Sequence, residues 1–482
     1  MDDISNNIKK VLFVFLLLFM MVISYVTYFE IIVAPQIVNN PGNSRLWAKR
    51  NEVLRGTIYD RNNQPLTKSE RVNTLTQKRE YTGGAAFAHV LGYVNQKYGI
   101  TGLENRYDQY LMGSEDKSLT QVIRELIESK GNIQQEDKRG DDLITTLDSD
   151  VQKKAFDALG DNRGAVVVLN PKTGEILAMV SKPSFDPNED ALKAAWSTIN
   201  KDKERPLLNR AVSGLYPPGS TFKTVTAVSA LENIDGIMAQ RFNDNGELRF
   251  NAKEALKNFG GEALGNCSFR EGYVHSSNVV FGTIGLQLGN DKLKQTAEKF
   301  YFNQNIPCDG IVIDKSRFPE LKTYEKGSIA QSAIGQSSDL ATPMQMVLVA
   351  STIANNGIMM KPHLVKQVTS SSGSVIQDIK PESLGIKVSA ANAATMRDFM
   401  KGVVEEGTGT NASIDGVTVC GKTGTADHVD EGKNAPPHSW FIGFAPYENP
   451  QVAVAVIVED GGQGGIAAAR IASQVMQVAL KK

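Results

Sequence analysis

The sequence predicts an α+β chain, an antiparallel sheet flanked by helices, preceded by a small polar stalk domain and one membrane-crossing helix. Three observations carry this. The run "VLFVFLLLFMMVISYVTYF", Val11 to Phe29, holds no charge. The composition changes near residue 141, from a polar segment with short strand-like pieces to longer apolar runs. Beyond that point helical and strand-like runs are mixed and include hairpins, the pattern of an α+β layer architecture. The 482 residues are enough for two or three domains with a full-sized core.

At about 1.5 Å per residue the apolar run spans about 28 Å, close to the bilayer core. A cleaved signal peptide is the competing reading, but the run is long for one and no small-x-small cleavage site follows. Lys9 and Lys10 flank it. The positive-inside rule then puts residues 1–10 in the cytoplasm, 11–29 in the membrane and the rest outside. Residues 33–140 form the stalk and 141–482 the main domain. Lys plus Arg number 52 against 53 Asp plus Glu, a net charge of −1 that argues against a nucleic-acid binder. Three cysteines, Cys267, Cys308 and Cys420, are too few for a disulfide framework. A Cys267–Cys308 pair is possible but not expected, and Cys420 sits in an apolar run where packing is its natural role. No Cys/His cluster has zinc spacing and the five histidines are scattered, so metal chemistry is not expected.

Within the stalk, "RGTIYDRNNQPL" reads as a strand meeting a turn at Asn62 and Asn63. In "DDLITTLDSDVQKKAFDAL" a strand ends at Thr146 or Leu147 and Asp148 caps the next helix. "GAVVVLNPKTGEILAMVS" reads as a hairpin turning at Pro171 to Gly174. In "ATPMQMVLVASTIANNG" Thr342 is a cap, Pro343 takes the first helical position, Gln345 follows three after the cap and Gly357 lies past the end. Three strand-like runs, "VTVCGKTGTAD", "SWFIGFAP" and "QVAVAVIVED", precede a closing helix, "IAAARIASQVMQVAL".

The candidate chemistry begins at "YPPGSTFKTVTA". Pro217, Pro218 and Gly219 deliver the chain abruptly into a helix in whose first turn Ser220 and Lys223 lie three apart, so the lysine can reach the hydroxyl. The helix N-terminus favours an alkoxide and opposes a second positive charge, leaving an amine able to take a proton. The plain alternative is a helix cap, and Ser114 to Lys117 is a decoy for the same pattern. Ser276 and Asn278 in "HSSN" stand two apart before an apolar run, although Ser5 and Asn7 match too. Lys422, Thr423, Gly424 and Thr425 lie within a strand, whereas the decoy Lys172-Thr173-Gly174 occupies a hairpin turn.

Taken jointly and in this order, Ser-x-x-Lys, Ser-x-Asn and Lys-Thr-Gly resemble the motif set of penicillin-binding proteins and serine β-lactamases. "RGTIYDRNNQPL", "GITGLENRYDQYLMG", "LLNRAVSGLYPPGSTFKTVTA" and "AIGQSSDLATPMQM" are similar to class B penicillin-binding proteins of the short-stalk, penicillin-binding protein A group. The resemblance covers most of the chain from Arg55 onward. Asn62-Asn63 stands where that family usually has Asn-Gly.

The resemblance implies a transpeptidase fold and acyl transfer on D-Ala-D-Ala stem peptides without a cofactor. Ser220 is then the nucleophile and Lys223 its base. Ser276 relays the proton to the leaving D-alanine, and Asn278 orients the substrate amide. Lys422 supplies positive potential, Thr423, Gly424 and Thr425 form the carboxylate-binding strand edge, and the N–H groups of Ser220 and Thr425 form the oxyanion hole. It also implies acylation by β-lactams and a SEDS-type membrane glycan polymerase as partner. A β-lactamase or β-lactam sensor uses the same triplets, but no Glu-x-x-Leu-Asn lies between Ser276 and Lys422. A D,D-carboxypeptidase, with water as the acceptor, and a catalytically dead scaffold complete the set of rival functions.

Overall fold

A computed structural model describes residues 2–34, 44–73, 76–113, 138–430 and 433–481. The decoy Ser114 to Lys117 lies outside the described residues. The N-terminal helix Asp2–Tyr28 continues as a π-turn over Phe29–Val33. Among the described residues one helix is long and apolar enough to cross a membrane, the 28 residues Asn6–Val33, whose most apolar 18-residue stretch has mean hydropathy 2.5 and no buried residue. It is longer than the charge-free run because polar Asn6 and Asn7, the two lysines and Glu30 are carried on the same helix.

The stalk segment contains a hairpin, Thr67–Asn73 with Thr76–Tyr81, and three short helices, Ala88–Leu91, Gly102–Arg106 and Asp108–Leu111. The turn expected at Asn62-Asn63 is present, with Asn63 at φ +61°. Strand Ile58–Tyr59 pairs in parallel with Asp142–Thr145, which pairs in turn with Val365–Thr369. One sheet therefore crosses the compositional boundary near residue 141. Beside it the charged groups of the stalk are buried together. Glu104, with no exposed surface, accepts Arg55 Nε at 2.5 Å and Arg79 Nε at 2.8 Å, and Asp108 accepts Arg55 Nη1 at 2.7 Å.

The central sheet is antiparallel. Its strands are β1 (Gly164–Leu169), β2 (Ile176–Lys182), β3 (Cys420–Ala426), β4 (His438–Ala445) and β5 (Val452–Val458), in the spatial order β3-β4-β5-β1-β2. The expected hairpin at Pro171 to Gly174 joins β1 to β2. Period-2 alternation sorts the strands' side chains to two faces. Val166, Val168, Val454 and Val456 pack against helices Ser149–Leu159 and Ala467–Leu480. Ala165, Val167, Ala455 and Ile457 face the main core, where helix Pro343–Ala354 lies. Both faces are covered, which explains why these strands read as continuous apolar runs.

Local start signals hold. Asp148 Oδ1 accepts from the N–H groups of Asp150 and Val151, and Thr342 Oγ1 accepts from Gln345 N at 3.1 Å. Gln345 does not complete a capping box, because its side chain donates instead to Phe300 O at 2.6 Å. All three cysteines are free, with Cys267 and Cys420 buried.

Candidate active site

The Ser220 corner is held from several sides. Tyr216 exchanges backbone hydrogen bonds with Ala341, Gly219 N donates to Gly335 O at 2.9 Å, and Trp440 Nε1 donates to Pro217 O at 3.0 Å. The tyrosine hydroxyl donates to Glu459 Oε1 at 2.6 Å, which Arg210 also binds. Gly219 has φ +52°, and a Cβ there would lie 2.7 Å from Thr425 O. On the opposing strand a Cβ at Gly424 would lie 2.9 Å from Thr221 Cγ2 and 3.1 Å from Pro218 O. The serine corner and β3 therefore meet at a distance that only two glycines permit.

Ser220 sits in a 3-10 turn, Gly219–Phe222, ahead of helix Lys223–Asn233. In a 3-10 turn residues three apart eclipse, so the serine and lysine remain on one side. Ser220 is the N-cap of neither element, those positions being Pro218 for the turn and Phe222 for the helix. The sequence places Lys223 within reach of the Ser220 hydroxyl, but its hydrogen bonds run elsewhere. Nζ donates to Ser276 O at 2.7 Å, to Asn278 Oδ1 at 2.7 Å and to Ser276 Oγ at 3.3 Å. Lys422 Nζ meets the same Ser276 Oγ at 2.9 Å and its neighbour's carbonyl, Thr423 O, at 3.0 Å. Thr423 Oγ1 and Thr408 Oγ1 are 2.5 Å apart, and Thr425 Oγ1 accepts from Gly464 N at 3.3 Å.

Both lysines are fully buried, Nζ of Lys223 over the Phe281 ring and that of Lys422 over Tyr273. Burial, and then the charge of Lys422, pushes the Lys223 amine well below its ordinary range, with Asp244 opposing. Burial lowers Lys422 to about 7. The positive potential assigned to Lys422 from sequence is therefore not permanent at neutral pH. Ser276 itself has φ +60°, a conformation that costs a non-glycine residue about 1–3 kcal/mol and is characteristic of functional sites.

The structure thus brings all three motifs to one place, and it shows residues that sequence reasoning missed. Asp244, with no exposed surface, accepts from Ser277 Oγ at 2.7 Å and from Asn258 Nδ2 at 2.8 and 2.9 Å. Asn258 Oδ1 accepts from the N–H of Asn278 at 2.8 Å and of Val279 at 3.0 Å, capping helix Asn278–Lys299. These two side chains aim the Ser276 to Asn278 segment. Neither stands in a motif, so no local signal marks them. The fold also places His428, His438 and Asp460 within 4.8 Å of one another, a grouping of distant residues that sequence spacing does not indicate.

Comparison with known proteins agrees with this geometry. Residues 164–477 match the penicillin binding protein transpeptidase domain, and residues 55–135 the penicillin binding protein A dimerisation domain. The peptidoglycan D,D-transpeptidase PbpA of Mycolicibacterium smegmatis is 34% identical over 99% of both chains. The structure of penicillin-binding protein A from M. tuberculosis, in its ceftriaxone acyl-enzyme complex, superposes with TM-score 0.82 at 32% identity, covering 90% of this chain and all of that one. Pseudomonas aeruginosa PBP2 superposes with TM-score 0.75 at 30% identity, covering 89% of this chain and 96% of that one. The chain belongs to the penicillin-binding protein transpeptidase family.

Proposed function

We propose that this chain is a membrane-anchored peptidoglycan D,D-transpeptidase, cross-linking stem peptides through an acyl-enzyme at Ser220 and acylated there by β-lactams. The observation that carries the reading is the buried Lys223 amine, one 3-10 turn from Ser220 and held by Ser276 and Asn278. Burial and a second lysine disfavour the charged form of this amine, which favours its action as a proton acceptor.

Ser220 Oγ attacks the penultimate D-Ala carbonyl and its proton passes to Lys223. The N–H groups of Ser220 and Thr425 stabilise the oxyanion, each such donor being worth about 10²–10³ in rate. Collapse breaks the peptide bond, and the departing D-alanine amine takes a proton through Ser276, which both lysines contact. Asn278 orients the substrate amide. Thr423, Gly424 and Thr425 receive the terminal carboxylate, with Lys422 supplying charge when protonated. An amine of a neighbouring stem then attacks the ester, forming the cross-link and returning the proton to Ser220. Residues 11–29 anchor the chain, residues 33–140 form the stalk and residues 141–482 the catalytic domain outside the cytoplasm, alongside a SEDS-type polymerase.

The test is penicillin added to the detergent-solubilised full chain. One covalent equivalent is expected, absent in Ser220→Ala, followed by very slow release. Sustained turnover at about 1–10³ per second would instead make the protein a β-lactamase, and an adduct on Ser220→Ala would overturn the nucleophile assignment.

A further inference from the structure

Beyond the Ser220 centre, the fold gathers three metal-ligating side chains from separate segments. His428 follows β3, His438 opens β4, and Asp460 stands in the turn after β5. His428 Nε2 lies 3.0 Å and His438 Nδ1 3.8 Å from Asp460 Oδ1. These separations bracket about 3.3 Å, the ligand-to-ligand edge of a tetrahedron with bonds of about 2.0–2.1 Å.

A histidine–aspartate ion pair is the plainer account, but it leaves atoms over. Asp460 Oδ1 and His428 Nδ1 are both buried and neither makes a hydrogen bond, so the 3.0 Å approach is not itself one. Asp460 Oδ2 is bound by Arg163 Nη2 at 2.5 Å, which turns the free oxygen Oδ1 toward the two rings. The imidazoles stack at 3.8 Å and 22°. His438 Nδ1 accepts from Asp460 N at 3.2 Å, so binding of an ion through this nitrogen replaces that hydrogen bond.

We propose that His428, His438 and Asp460 form a three-ligand site for a divalent first-row transition metal of the zinc class, with solvent in the fourth position. Two imidazoles and one carboxylate suit such an ion and not calcium or magnesium, which take oxygen ligands. Because the lone pairs lie in ring planes that are nearly parallel, one ring leaves the stack on binding. The ion then ties the end of β3, three residues past Thr425, to β4 and to the turn after β5. His428 and Asp460 are partly exposed, which leaves an entry path.

The test is Co²⁺ titration of the chelator-stripped, detergent-solubilised full chain. One equivalent with the visible absorption of tetrahedral Co²⁺, displaced by Zn²⁺, is expected. His428→Gln, a change at a partly exposed position that preserves the fold, and Asp460→Asn should each weaken binding at least tenfold while melting as the parent does without metal. Absence of the band in excess Co²⁺, or an undiminished band in His428→Gln, overturns the proposal and leaves an ion pair only.

Discussion

Two clusters of buried charge, one in the stalk and one at the motif centre, are built on opposite principles. In the stalk, Arg55 and Arg79 converge on Glu104 and Asp108, so each cation has a carboxylate in direct contact. Burial opposes the charge on Arg55, yet Glu104 and Asp108 win and raise it, while the two arginines win over burial at Glu104 and lower it. At the motif centre Lys223 and Lys422 share Ser276 and are bonded to neutral oxygens, with Asp244 acting only at a distance. Burial wins there and both amines are pushed toward losing a proton. Matched buried charges are locked, whereas unmatched ones are poised to move a proton.

The hardest test of this contrast is removal of either active-site amine. Lys223→Ala and Lys422→Ala should slow penicillin acylation by about 10²–10⁴ with the fold retained. Lys172→Ala, the same local triplet on an exposed hairpin turn, should acylate at the parental rate. Equal rates for Lys422→Ala and Lys172→Ala would break the distinction. In the stalk the effect should fall on stability. Glu104→Gln leaves two arginines buried without a full counter-charge and should cost about 3–5 kcal/mol in denaturant unfolding, with unchanged acylation by the folded fraction. Slowed acylation there would mean the two clusters are coupled.

A smaller effect is expected at Asn258. Asn258→Ala removes a cap and two hydrogen bonds to Asp244, so it should destabilise by about 1–3 kcal/mol and slow acylation through the misaimed Asn278. Parental kinetics would reduce Asn258 to a purely structural role. The finest test is the pH dependence of Lys422→Met. The folded amine titrates at about 7 against an ordinary value of 10.5, so between those limits the unfolded chain binds the extra proton and parental stability rises with pH. The advantage of methionine should therefore be full below about pH 7 and fade toward alkaline pH. An advantage independent of pH would show that the charge is not what makes this lysine costly.

Features set by neighbouring residues were legible without coordinates. The Asp148 and Thr342 caps, the hairpin at Pro171 to Gly174, the apolar helix and the order of the three motifs all depend on spacings of a few residues, where backbone geometry leaves few options. What spacing does not encode is which distant segments touch. The sheet joining Ile58–Tyr59 to Val365–Thr369 through Asp142–Thr145 is one case, and the gathering of His428, His438 and Asp460 is another. Asp244 and Asn258 beneath the Ser276 turn are a third. The turn of Lys223 toward Ser276 and Asn278 was decided in the same way, since a side chain three residues from Ser220 can point along several rotamers and only the packed partners select one. Sequence alone determined the chemical inventory and its local geometry. Burial, a property of the assembled core, decided which of those charges are held and which are free to lose a proton.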